Sequence, residues 1–170
     1  GHIFVYHPVL AKIKKLIKND SILYFSMKWN KFGTFKENIL FNLLSHEISI
    51  LLELIGIPKK ITIISSKGVI SNQDLIVVKV YYSKTCNGII TINRISENKE
   101  KSVSIILKNK FLLWKDYDLY KLNEKTNKFT KIFHSNQSSI SNEINEFLNN
   151  LKTGHSDKHN LQLAINTVKL

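Results

Sequence analysis

The spacing of apolar residues changes period twice along this chain. From Val9 to Lys18 the positions Val9, Ile13, Leu16 and Ile17 recur three and four apart with lysines between them, which predicts an amphipathic helix. Pro8 suits its first turn, because a residue there has no use for an N–H. Ahead of it, Ile3–Tyr6 reads as a short buried strand broken by His7-Pro8. Ser21–Trp29 is aromatic and strand-like, and Asn30–Glu37 is a polar loop around Gly33. Asn38–Ile55 carries the strongest helical pattern, stopped by Gly56 and Pro58.

Beyond Gly56 the period falls to two. Lys60–Ser65, Asp74–Tyr82, Gly88–Ile95, Ser102–Leu107, Lys110–Trp114, Tyr117–Leu122 and Phe129–Phe133 all read as strands rich in Ile, Val, Tyr and Phe. Turns as short as Asn87-Gly88 and Asn109-Lys110 favour antiparallel neighbours. Helical spacing then returns. Ser138 or Ser139 is the expected N-cap, Ile140, Ile144, Phe147, Leu148 and Leu151 the apolar face, and Gly154 the C-terminal stop. A last helix is expected from Lys158 to Leu170. The order predicts an α+β fold, an open and mostly antiparallel sheet with helices packed on one face.

Composition narrows the partners. A length of 170 residues fits one domain, or one domain with part of another. The net charge of +12 invites a nucleic-acid reading, but Arg94 is the only arginine and the lysines scatter from Lys12 to Lys169. Specific phosphate and guanine contacts favour the arginine fork, so a solvated lysine surface is expected and no nucleic-acid partner. No apolar run is long enough to span a membrane. The single cysteine, Cys86, lies in the turn-like Lys84–Gly88 stretch and fits a reducing, cytoplasmic setting. With no initiator Met at Gly1 and no stop signal after Leu170, the chain is expected to be an excerpt of a longer one.

Several chemistries are excluded by spacing. The six glycines stand too far apart for a dinucleotide G-x-G-x-x-G fingerprint or a phosphate-cradling loop. His155 and His159 flank Asp157 in what reads as an interhelix loop, so no metal site is expected. The Asn38–Ile55 helix is more informative. At 100° per residue Asn42, His46, Ser49 and Glu53 form one polar stripe, either facing water or lining a cleft where His46 acts as an acid–base group. Glu47 falls on the apolar side, where a carboxylate needs a partner.

Three segments carry a family resemblance. Gly1-His2-Ile3-Phe4-Val5-Tyr6-His7-Pro8, with the basic helix after it, looks like the end of the Rossmann half of the glucose–fructose oxidoreductase/inositol dehydrogenase (Gfo/Idh/MocA) family. Asn42-Leu43-Leu44-Ser45-His46-Glu47-Ile48-Ser49 is similar to that family's D-x-G-x-H-x-x-D segment. Ile140–Gly154, with Glu143, Phe147 and Leu151, resembles its penultimate helix. The resemblance implies that residues 1–19 are the tail of a dinucleotide-binding domain and its crossover helix. Residues 20–170 would be a C-terminally truncated domain for substrate binding and oligomerisation. It further implies NAD or NADP bound mainly by the missing Rossmann half, a sugar, nucleotide-sugar or polyol substrate, and a homo-oligomer built through the sheet. His46 takes the catalytic position and Asn42 and Ser49 the substrate-binding ones, while Tyr6 and His7 approach the nicotinamide. The family's catalytic lysine, in a Glu-Lys-Pro motif, has no counterpart here. Asn42, Leu44 and Ser49 replace the expected Asp, Gly and Asp, which favours an alternative reading as an inactive sheet domain for oligomerisation or saccharide binding.

Overall fold

His7 opens the first helix, α1 (Pro8–Ile17), by accepting the Val9 N–H on its Nδ1 at 3.2 Å, which satisfies a donor the helix cannot use internally. The computed structural model describes residues 2–170; Gly1, first residue of the segment compared with the family, lies outside them. After α1 come β1 (Ile22–Phe32) and a π-helical turn (Leu40–Leu44) that runs into α2 (Ser45–Leu54). The strands β2 (Lys60–Lys67), β3 (Leu75–Ser83), β4 (Cys86–Asn93), β5 (Ile95–Leu107), β6 (Lys110–Lys115), β7 (Asp118–Asn123) and β8 (Lys128–His134) follow. The chain closes with α3 (Ser139–Thr153) and α4 (Lys158–Lys169).

All eight strands form one open sheet in the order β2-β3-β4-β1-β5-β6-β7-β8. Every pairing is antiparallel except β1 with β4. The α+β expectation is met, with one parallel pair that turn lengths do not foretell. Alternate residues of the central strands (Phe25, Met27 and Trp29; Ile76, Val78 and Val80; Ile90 and Ile92; Val103 and Ile105) are buried under the helices. They meet Val9, Leu10 and Ile13 of α1 and Ile48, Ile50 and Leu51 of α2 in one core. Each such side chain stabilises the fold by about 1.5–3 kcal/mol. Gly88 stands opposite Phe25 across the parallel pair. A Cβ there would come within 2.3 Å of the Phe25 carbonyl and 2.5 Å of its ring, so β1 and β4 approach this closely only over glycine.

Several boundaries differ from the sequence reading. Ile3–Tyr6 is a 3-10 turn, not a strand. Four residues with no strand beside them satisfy their backbone locally, Val5 N–H to the His2 carbonyl and His7 N–H to that of Phe4. β1 runs on to Phe32 through the expected loop, and β4 begins at Cys86, inside the expected turn. β5 begins at Ile95, so Ser96–Lys101, whose polar composition reads as a loop, is strand.

Arg94 is the corner between β4 and β5, which are consecutive in the chain but lie on opposite sides of β1. Its guanidinium holds several partners at once: Asp74 at 3.1 Å, the Thr34 and Glu37 carbonyls at 2.8 and 2.6 Å, and the Ser71 hydroxyl. Asp74 also accepts the N–H groups of Val69, Ile70 and Ser71. Burial alone would raise its carboxyl pKa, but these donors and Ser71 Oγ hold it well below the usual range. One arginine thereby fastens the loop after β1 to the loop before β3, a multi-pronged task for which lysine has no geometry.

α3 and α4 form an outer layer, α3 against the Ile3–Tyr6 turn and α4 against α2. Ser138 caps α3 and Gly154 ends it at φ 65°, both as expected. The apolar stripe of α3 is left largely bare by the described residues: Phe147 is 60% exposed and Leu151 63%. Leu161 and Val168 of α4 are equally bare.

Candidate functional site

The π-turn at Leu40–Leu44 inserts an extra residue into the helical winding, a device frequent at functional sites. It shifts Asn42 around the axis relative to the wheel drawn from sequence. Asn42 and His46 nevertheless line the same cleft, about 520 Å³ in volume, together with His2, Ser45, Ile61 and Thr167. The Asn42 amide donates to Glu37 Oε2, which fixes its orientation at the cleft mouth.

The rest of the expected polar stripe does not reach that cleft. Ser49 is fully buried and its hydroxyl donates back to the His46 carbonyl at 2.7 Å. Ser49, expected at a substrate-binding position, has its hydroxyl bonded inside the helix instead of facing that cleft. Glu53 is covered rather than solvated, bonded to Lys14 of α1 and to His159 of α4. Burial pushes Glu53 up, but its hydrogen bonds to Lys14 and His159 outweigh that and hold it below its ordinary value. His159 thus belongs to the α2–α4 contact, and Asp157 caps α4 through the Asn160 N–H.

His46 sits in an aromatic nest. Its ring centroid is 5.5 Å from Phe4, 5.7 Å from Trp29 and 6.3 Å from His2. Against the same two rings lies the Lys101 amine, 4.0 Å from the centroids of both Phe4 and Trp29 and paired with the Glu47 carboxylate. Glu47 has no exposed surface, so the partner that its place on the apolar face demanded is Lys101. Burial drives the Lys101 pKa well below the ordinary lysine value. The sequence concealed this residue because it ends a polar run in β5; the unexplained Glu47 was the signal that a cation had to come from elsewhere.

Phe4, Trp29 and Lys101 also line a second cleft of about 310 Å³, whose far wall holds His7, Trp114 and Tyr117. His7 is nearly fully buried, 4.9 Å from Trp114 and 5.6 Å from Tyr117 between ring centroids, with its Nδ1 occupied in capping α1. Tyr6 points elsewhere, its hydroxyl accepting from Asn160 and its carbonyl from Asn142 at 3.1 Å. Both residues expected on the cofactor side are anchored in the scaffold.

Among the described residues, three buried side-chain atoms lack a hydrogen-bond partner: His2 Nδ1, His46 Nδ1 and Glu47 Oε2. All lie around this one aromatic nest. Buried polar atoms are normally paired, and exceptions cluster where something else binds.

Burial, reinforced by Lys101, lowers the pKa of His7 to about 4. Burial, followed by Lys101, His2 and Lys31, lowers that of His46 to about 4. Unfolded, each imidazole takes up its proton near 6.5. Below that pH the unfolded chain binds more protons than the folded one, so stability is complete above 6.5 and is lost as pH falls toward 4. The melting temperature is expected to decline already between about pH 6.5 and pH 5, above the range where carboxylates protonate. A flat profile there, by circular dichroism, would show that both rings titrate normally.

No protein-family model matches the sequence, and no curated protein does either. Solved structures do. A UDP-N-acetylglucosamine 3-dehydrogenase from Acidithiobacillus ferrooxidans superposes with TM-score 0.79 at 14% identity, over 92% of this chain and 53% of its own. Levoglucosan dehydrogenase, in complex with NADH and levoglucosan, gives 0.79 at 13% identity over 98% and 60%. A dehydrogenase from Clostridium difficile gives 0.78 at 17% identity over 99% and 58%. The fold is thus that of a sheet domain found in oxidoreductases. More narrowly, these neighbours are of the Gfo/Idh/MocA type, which bears out the sequence resemblance at the level of the fold. This chain spans little more than half the length of each.

Proposed function

We propose that the chain is the substrate-side half of an NAD(P)-dependent oxidoreductase acting on a hydroxyl or carbonyl carbon of a sugar, nucleotide-sugar or polyol. The observation that carries this is His46, a neutral imidazole with an unpaired Nδ1, set with Asn42 in a cleft of a fold shared with sugar dehydrogenases. A neutral imidazole offers one donor and one acceptor nitrogen. It can take the proton of a substrate hydroxyl during oxidation, or return it during reduction. Asn42 donates or accepts a hydrogen bond but moves no proton, so it orients.

A bound nicotinamide would accept or supply the hydride. This chain's residues do not build its site, since the glycine spacing is absent. The bare stripes of α3 and α4 are the surface a dinucleotide-binding half would cover, and residues 1–19 the connection from it. The sheet face away from the helices, with Ser26, Thr91, Ser104 and Leu113, would serve a homo-oligomer. A second reading, a sheet module that binds a saccharide without turning it over, is favoured by the burial of Ser49 and by Asn42 standing where the family has a carboxylate.

NADH or NADPH titrated into the 170-residue chain, followed by nicotinamide fluorescence, is expected to show no saturable binding. The same chain joined to a dinucleotide-binding half should bind it. Stoichiometric binding by the chain alone would overturn this division of labour.

A further inference from the structure

The Lys101–Glu47 pair costs desolvation wherever it sits, and a buried ion pair is weak evidence for stability. Its placement is specific. Lys101 lies 4.0 Å from the centroids of the Phe4 and Trp29 rings, the same two rings that His46 contacts, and Glu47 is the next residue to His46 on α2. The groups facing His46 come from four elements. They are His2 before the first turn, Lys31 on β1, Lys101 on β5 and Glu47 on α2 itself, while α4 presents uncharged Thr167 and Val168 to the same cleft. Glu47, the carboxylate of this set, is turned to Lys101.

We propose that the buried Lys101–Glu47 pair is a positioning device for His46, holding the imidazole neutral and its ring fixed so that it can take a proton from a substrate hydroxyl. The inference rests on the catalytic reading of His46 but adds residues that touch no substrate. Burial already disfavours an imidazolium at His46, and a positive charge on Lys101, which shares the Phe4 and Trp29 rings with it, opposes one further. Burial works against that charge, and the Glu47 carboxylate paired with Lys101 opposes its loss. Moving Lys101 would break two ring contacts and the ion pair together.

The test is the titration of the His46 ring by NMR in this chain, which needs neither substrate nor turnover. In the unaltered chain the midpoint should lie well below 6.5. Lys101→Met should raise it by about one unit or more, and Lys101→Arg, which keeps the charge, should leave it low. Lys101→Met also strands Glu47, so the double variant Glu47→Leu with Lys101→Met separates lost repulsion from a gained carboxylate. It too should titrate higher than the unaltered chain, and it decides the matter if the single variant fails to fold. A midpoint that stays put in the folded variants, or a normal midpoint in the unaltered chain, overturns the proposal. A raised midpoint with turnover indifferent to His46 would leave the electrostatic device standing and remove the catalytic reading instead.

Discussion

Arg94→Met lowers the melting temperature of this chain by roughly 10 °C, and Arg94→Lys restores less than half of the loss. The reasoning starts from what the guanidinium holds: Asp74, the Thr34 and Glu37 carbonyls and the Ser71 hydroxyl. Truncating one partner of a buried charged cluster is among the most destabilising single changes. In a domain of this size each kcal/mol shifts the midpoint by about 2–4 °C. Lysine keeps the charge beside Asp74 but has one nitrogen, so it cannot also reach two carbonyls and a hydroxyl. Thermal unfolding by circular dichroism measures both variants. A shift of no more than about 2 °C for Arg94→Met would mean that the two loops hold their shape without it.

On the proposed function, His46→Ala in this chain joined to a dinucleotide-binding half should cut turnover at least about tenfold, with a smaller change in the Michaelis constant. Loss of an acid–base group acts on the transition state more than on the bound substrate. Asn42→Ala should do the reverse, weakening binding more than turnover, because an amide orients and does not exchange protons. Steady-state kinetics on the three proteins separates these roles. Turnover unchanged in the histidine variant would remove His46 from the chemistry, whereas no turnover in the unaltered protein would favour the saccharide-binding module.

Much of the fold was legible because local pattern and long-range packing agree. Alternation in β3 and β4 buries Ile76, Val78, Ile90 and Ile92, as a period of two requires. The caps at Ser138 and Gly154 are local chemistry and fell where expected. Ile3–Tyr6 misled because strand composition specifies a strand only where a neighbour pairs with it. The polar start of β5 misled in the opposite direction: Lys101 reads as solvated, yet it is held beneath two rings by Glu47. Of the expected stripe, His46 and Asn42 share a cleft and Ser49 is buried inside the helix, while the pairing of Lys101 with Glu47 was hidden. A helical wheel shows which residues share a face; it does not show what covers that face. The π-turn adds a local reason, since a wheel drawn at constant pitch loses phase across it.

The corner at Arg94 has a consequence for how the sheet assembles. β2, β3 and β4 on one side, and β5 to β8 on the other, pair with chain neighbours through short turns, so each set closes only small loops. β1 is made first along the chain but pairs with strands that come much later, parallel on one edge and antiparallel on the other. The entropic cost of long loop closure therefore falls on this one strand, which slows folding in proportion to such distant pairing. Without β1 the sheet would part into two ribbons; with it, the last seam to close is the one that brings Trp29 to the nest around His46.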